Sequence, residues 1–342
     1  MKISILLTFD YELPLGDLHG SYDDALFAPS NVLLKKANEL KVPVTLFADI
    51  LCYKKFKEWK RSDFCEPFDK QIHTYLENGH DVQLHLHPHW LTSSLKEDKI
   101  ISSNDYTLAD HANINSIVAL GVNELTNICK TNQSDYKCIA YRGGGYCLAP
   151  KTAETLKALH NNGIRYDSSI SKDYVFISDL STVDFRNMPI EANWYLNEKF
   201  PLNKNAKEGI LEVPIASIPK SIFEVPTFVK MKLHKDRIPP KRGSMIHNES
   251  NLTFKQKKDK ALSSRMLSFD NYTYSPKYLM KILNHHVKTH KGDEPIILSA
   301  IGHPKSMGDY NFQLMEEFII LARKKYGDEL EFTTFSELEN KK

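Results

Sequence analysis

Four histidines fall within one short run, Gly79-His80-Asp81-Val82-Gln83-Leu84-His85-Leu86-His87-Pro88-His89-Trp90. Val82, Leu84 and Leu86 recur with period two, the pattern of a strand with one face in a core, so Gln83, His85 and His87 share the other face. Pro88 has no N–H to give to a ladder; it ends the strand and lets His89 fold back beside His85. Neutral imidazoles at a strand end suit a divalent cation, zinc above all, with a third ligand from elsewhere, commonly a carboxylate. Two pairs stay open, His85 with His89 or the His-x-His pair His85 and His87. A lone strand histidine is usually just a satisfied polar residue, but three at one strand end point to metal binding or catalysis.

Carboxylates that could complete such a site occur near the start, where Asp10-Tyr11-Glu12 follows the apolar run 2–9. Period two puts Asp10 and Glu12 on one side of that strand end, although both could simply be solvated charges. Further on come Tyr141-Arg142-Gly143-Gly144-Gly145-Tyr146, then Tyr166-Asp167-Ser168-Ser169, then Gly302-His303-Pro304, each after a β-like run. The three glycines make a tight turn and lack the Lys-Ser/Thr of a phosphate loop. Ser168 and Ser169 sit in no Gly-x-Ser-x-Gly setting, which argues against a serine hydrolase. Trp90, Trp194 and Tyr195 are sugar-stacking candidates or core aromatics. His285 and His286 read as surface residues of a helix.

The elements that must position these groups alternate along the chain. Strands are expected at 2–9, 42–48, 82–87, 136–141, 164–170, 210–218, 294–301 and 331–335, and helices at 31–40 with Ser30 as cap, 68–78, 109–130, 151–161 and 312–326. Such alternation favours a parallel sheet, and six or more units favour closure into a (β/α) barrel with its chemistry at the C-terminal mouth. Residues 219–265 break the rhythm with four prolines and twelve Lys or Arg against four Asp or Glu, a charge of +8 within a chain of net +2. This stretch is expected to be an insertion over the mouth, either a solvated excursion or one that serves as a lid or meets an anionic partner. Chain 1–342 is otherwise read as one domain.

Lys and Arg number 45 against 43 Asp and Glu, which gives no reason to expect nucleic acid as a partner. The N-terminal apolar run is cut short by Asp10, and no other run approaches a membrane span. The 5 cysteines form no Cys-x-x-Cys pair and are odd in number, which fits a reducing, cytoplasmic setting.

Taken in order, Thr8-Phe9-Asp10-Tyr11-Glu12, Gly79-His80-Asp81 through His85 and His89, Tyr141 to Tyr146, Tyr166 to Ser169 and Gly302-His303-Pro304 resemble the polysaccharide deacetylases of the NodB-homology family. The resemblance covers roughly residues 1–218 and 290–340 and is most specific in Gly-His-Asp followed by His-x-x-x-His. It implies a distorted (β/α) barrel of about seven strands. It also implies a divalent metal, usually zinc, on one carboxylate and two histidines spaced as His85 and His89 are, and hydrolysis of an N-acetyl amide, less often an O-acetyl ester, on a carbohydrate.

The first motif departs from the common Asp-Asp form, with Tyr11 where the ligand Asp would stand. Either Asp10 is the base and Glu12 the ligand, as in relatives with an Asp-x-Asp spacing, or Asp10 is itself the ligand. Arg142 is then expected to hold Asp10, and His303 to protonate the leaving amine. A backbone N–H near Tyr146, reached over Gly144, would meet the oxyanion, and Asp167 would orient His303 or Arg142. His87 and Trp90 are left to support the ligands or meet the sugar. Two other readings remain: an amidohydrolase that opens a cyclic amide through His85-x-His87, and a catalytically silent sugar-binding relative.

Overall fold

The computed structural model describes residues 2–244, 252–293 and 295–341. Seven parallel strands make the frame: β1 Ile3–Tyr11, β2 Thr45–Asp49, β3 Asp81–Leu86, β4 Ala140–Gly143, β5 Tyr166–Asp167, β6 Ile210–Glu212 and β7 Ile296–Gly302. Their order is β6-β5-β4-β3-β2-β1-β7, with Trp194–Leu196 antiparallel on the outside of β6. β1 is long and buried along its whole length, so it pairs with β7 on one side while β2 and the late strand β8, Leu330–Thr333, divide its other side. The curl closes not by a full ladder but by a bridge from Ile215 to Ser299, in which Ser299 N–H donates to Pro214 O at 3.0 Å and Ala216 N–H to Ser299 O at 2.9 Å. Pro214 has no N–H of its own, so the seam stays short and the barrel distorted.

Helices cover the outside: α1 Ala28–Leu40, α2 Ile50–Glu58, α3 Ser62–Glu77, α4 Ile114–Lys130, α5 Thr152–Asn161, α6 Pro276–Thr289 and α7 Asp309–Tyr326. Several bounds differ from the sequence reading. α3 begins before Pro67, which sits inside it, whereas the proline made Phe68 look like the start. α2 was missed; its N-cap is Asp49, the last residue of β2, so strand and helix meet with no turn signal between them. Ser30 is no cap, because a helical turn at Asp23–Phe27 already precedes it and its Oγ donates back to Leu26 O at 2.7 Å. His286 is buried, not on the surface: its Nε2 lies 2.8 Å from Ser217 N, and burial pulls its pKa down to about 3.

The basic stretch leaves and rejoins the barrel at one place, where Ser217–Ile218 pairs antiparallel with Arg265–Met266. Within it lie the short helices Val225–Lys232 and Phe254–Ala261. Gly243 bridges to Leu18 in the loop after β1, and Arg242 Nη1 donates to the carbonyls of Pro304, Lys305 and Met307 at 3.3, 3.1 and 2.7 Å. No helix among the described residues is long and apolar enough to cross a membrane.

Candidate active site

β1 delivers the acids as its alternation requires. Tyr11 points into the core, where its hydroxyl donates to Gln71 Oε1 at 2.7 Å, so Asp10 and Glu12 turn together to the barrel mouth. Asp10 is buried and meets Arg142 of β4, whose Nη1 donates to Asp10 Oδ1 at 2.9 Å. The rest of the guanidinium is also satisfied: Nη2 donates to Thr8 Oγ1 at 2.8 Å and Ser168 Oγ at 3.0 Å, and Nε to Ser168 O at 2.9 Å. Burial raises the Asp10 carboxyl, but Arg142, His85 and His303 outweigh it and hold it at about 2. A buried charge pair survives only with this degree of hydrogen bonding.

Glu12 meets the histidine strand. Its Oε2 lies 3.2 Å from His85 Nε2 and contacts His87 Nε2, and ligand atoms of Glu12, His85 and His87 all fall within 4.8 Å of one another. His85 Nδ1 stands 2.8 Å from Arg142 O, and only an N–H can bond a carbonyl. The His85 lone pair therefore faces the Glu12 carboxylate, and two acceptors in a dry site need something positive between them, a proton or a metal ion. Burial pulls the His85 pKa down, yet Asp10 and Glu12 reverse that and raise it. Nδ1 of His87 is buried and makes no hydrogen bond, and its Nε2 meets the Glu12 carboxylate. One carboxylate oxygen and two imidazole nitrogens converging on one point fit a divalent cation of the zinc kind.

The His-x-His pair is thus the one that reaches Glu12. His89 is buried beyond it, its ring stacked on Tyr106 at 6.1 Å and tilted against Trp90 at 5.0 Å. Trp90, a candidate sugar platform in the sequence, is only 1 % exposed and packs on Phe56 and Trp59; its indole N–H donates to Asp49 Oδ2 at 2.8 Å. It holds the turn after β3 and cannot stack on a ligand. Trp194 is buried likewise, under the Lys172 ammonium, while Tyr195 is half-buried on the edge strand.

His303 follows β7. Its Nε2 is 3.3 Å from Asp10 Oδ2 and 3.6 Å from Glu12 Oε1, and its Nδ1 is 2.6 Å from Asp270 Oδ2. The carboxylate that orients His303 is therefore Asp270, not Asp167. Burial lowers the His303 pKa, but Asp270 and Asp10 raise it to about 10, so the ring is cationic at neutral pH. Asp167 instead accepts from Ser169 Oγ at 2.9 Å, and Ser169 Oγ accepts from Gly143 N–H at 2.8 Å, which ties the glycine turn to β5.

That turn closes one wall. A Cβ on Gly144 would come within 2.5 Å of Leu86 O and 2.7 Å of His87 Nδ1, so only glycine lets His87 lie against it. Gly145 and Tyr146 both have positive φ, an uncommon state for tyrosine and one found at built sites. The resulting cavity, about 290 Å³, is lined by Asp10, Glu12, Leu15, His87, Tyr106, Gly145, Tyr146, Tyr174, Phe176, Asp270, His303, Lys305 and Ser306.

Lys305 escaped the sequence reading although it follows His303-Pro304 directly. Its Nζ donates to Glu12 Oε1 at 2.8 Å and to Leu13 O at 3.0 Å. Thr8 was also legible, being two residues from Asp10 on the same face. Asp270 had no local signal, since it comes just after the basic excursion.

No protein-family model matches the chain, and no curated protein matches it in sequence. Solved structures do. The 4-alpha-glucanotransferase from Thermococcus litoralis aligns at a TM-score of 0.50 and 11 % identity over 100 % of this chain and 41 % of its own. A putative polysaccharide deacetylase from Mycobacterium smegmatis aligns at 0.49 and 12 %, over 99 % of this chain and 90 % of its own. Puue allantoinase aligns at 0.49 and 12 %, over 99 % and 89 %. At such identities the first is a likeness of fold alone, and the other two fall short even of that weight. The likeness to the glucanotransferase is one of fold and bears on the distorted (β/α) barrel described above.

Proposed function

We propose that the chain is a metal-dependent hydrolase that removes an acetyl group from an N-acetylated, or secondarily an O-acetylated, sugar or glycan precursor. In this reading residues 1–342 act as one barrel domain, and Glu12, His85 and His87 hold the cation. The observation that carries it is the meeting of the Glu12 carboxylate with the lone-pair side of His85 and with His87, in the same cavity as Asp10 and His303. The motif resemblance points the same way. When bound, zinc would act as a Lewis acid on the acetyl carbonyl.

The chain's own groups do the rest. Asp10, kept ionised by Arg142, takes the proton of the attacking water. His303, anchored by Asp270 with Nε2 turned to Asp10, gives a proton to the departing nitrogen, because an amine leaves poorly as an anion. In this reading a backbone N–H of the Gly145–Tyr146 turn, which lines the cavity, meets the developing oxyanion. Tyr106, Tyr146, Tyr174 and Phe176 give the cavity aromatic walls of the kind that accept sugar faces.

The His-x-His pairing favours one rival, an amidohydrolase that opens a cyclic amide. Metal analysis joined to product analysis separates the two. The proposal expects about one zinc per chain, lost in Glu12→Gln, His85→Ala and His87→Ala but kept in His89→Ala, and acetate released from N-acetylated sugars. Loss with His89→Ala instead would restore the ligand spacing that the resemblance implies. Ring opening of a cyclic amide without acetate would establish the rival. Full metal with neither product would leave a silent sugar binder.

A further inference from the structure

Among the described residues twelve large apolar side chains are exposed, and seven of them fall between Phe223 and Leu262. That is a cluster, not the usual scatter. Phe223 is 87 % exposed, Phe254 86 % and Leu233 76 %. The helix Val225–Lys232 is anchored by one side only: Phe228 is buried against Tyr274 and Tyr278, with the Arg265 guanidinium 3.8 Å from its ring. Val225, Val229 and Leu233, each four residues from the next, lie along a stripe that is left in solvent. Phe254 opens the second helix and Leu262 follows its end.

The same segment carries the chain's surplus of positive charge. Lys230, Lys232, Lys255, Lys257 and Lys258 pair with no described carboxylate, so their charge is available to a partner. Both helices stand at the rim of the catalytic cavity. Lys260 lies over the ring of Phe176, which lines it, and the groove beside Val225–Lys232 runs to Asp270, which lines it too.

We propose that the two helices Val225–Lys232 and Phe254–Ala261, with Phe223, Leu233 and Leu262 beside them, form a peripheral docking surface for an anionic lipid bilayer, which holds the cavity mouth against the membrane. Exposed aromatic and aliphatic side chains among unpaired lysines are what an interfacial segment needs: apolar groups enter the headgroup boundary while the ammonium groups meet lipid phosphate. A soluble polyanion would use the lysines and leave Phe223, Leu233 and Phe254 without purpose.

The test is flotation of the intact protein with vesicles of neutral phosphatidylcholine, with and without about 30 % phosphatidylglycerol. Binding to the anionic vesicles alone is expected, weakened by salt. It should fall about tenfold or more both in Phe223→Ser/Leu233→Ser/Phe254→Ser and in Lys230→Ser/Lys232→Ser/Lys255→Ser/Lys258→Ser. All of these side chains are on the surface, and an unchanged thermal melt shows that the variants are folded. Absence of vesicle binding overturns the proposal. So does equally tight binding to soluble heparin that the apolar variant leaves intact, which would assign the surface to an acidic polymer. The readout is binding, so it stands whether or not acetate is ever released.

Discussion

Two pairs of carboxyls sit at the mouth end of this barrel, on opposite sides of Arg142, and they have opposite fates. Asp10 and Glu12, at the end of β1, face a cavity and are met by Arg142, His85, His87, His303 and Lys305. Asp167 and Glu212, on the paired strands β5 and β6, face each other inside the wall, and their other partners are Ser169 and the backbone. Burial acts on both pairs in the same direction, toward the neutral acid. In the first pair surrounding cations outweigh burial and lower both pKa values; in the second, burial wins and both rise, and the Asp167 carboxylate adds to it at Glu212, which lies well above its ordinary range. A strand-end acid is therefore not a reactive group by position. What makes it one is a cation at hydrogen-bonding distance and an opening to solvent.

The strongest way to break this contrast is to remove the charge from one member of each pair. Asp10→Asn should lower acetate release about 10²–10⁴-fold, the range for loss of a general base. It should also cost about 3–5 kcal/mol in denaturant unfolding, because Arg142 is left buried and unpaired. Glu212→Gln, isosteric and at a site where burial already favours the uncharged acid, should leave kcat within about twofold. Equal losses in both variants would show that the two pairs are not different in kind.

A second test concerns the anchor of His303. Asp270→Asn keeps a hydrogen-bonding group in place but removes its charge. We expect kcat to fall about 10–100-fold with KM little moved, and the alkaline limb of the pH profile to shift toward lower pH. A change in KM alone would place Asp270 in substrate binding.

Much of this site could be read before the fold was known. The alternation of Asp10, Tyr11 and Glu12, the shared face of His85 and His87, and the positions of Arg142 and His303 after apolar runs all follow from a period of two, which sterics impose on any strand. So does the barrel, from the alternation of strand and helix. What could not be read depends on distance in space. Asp270 reaches His303 across 33 residues of chain with no pattern in its own segment. Which of His87 and His89 comes to lie against Glu12 depends on how sharply the chain turns at Pro88, and that turn is set by Asp49, which accepts from His87 N–H at 3.3 Å and from the Trp90 indole. Trp90 looked like a platform because composition cannot tell an aromatic at a mouth from one packed behind it.

The finest test of the contrast uses pH and stability alone. The folded pKa of Asp10, about 2, lies below its ordinary 3.8, so its contribution is present above pH 3.8 and is lost as pH falls toward 2. That loss amounts to about 2 kcal/mol. Glu212 has the opposite sign. Its folded pKa is raised, so its contribution is present below pH 4.5 and drains away as pH rises, by about 1.4 kcal/mol per pH unit until the folded pKa is reached. Glutamine has no proton to lose, so Glu212→Gln should flatten the decline that begins above pH 4.5 and leave the lower limb alone. Asp10→Asn should instead remove the step between pH 4 and 2, in proportion to the Asp10 shift. Thermal melts from pH 2 to 9 on the three proteins check both signs. A decline above pH 4.5 unchanged in Glu212→Gln would mean that the Glu212 pKa is not raised by the fold, and that the two acid pairs are electrostatically alike.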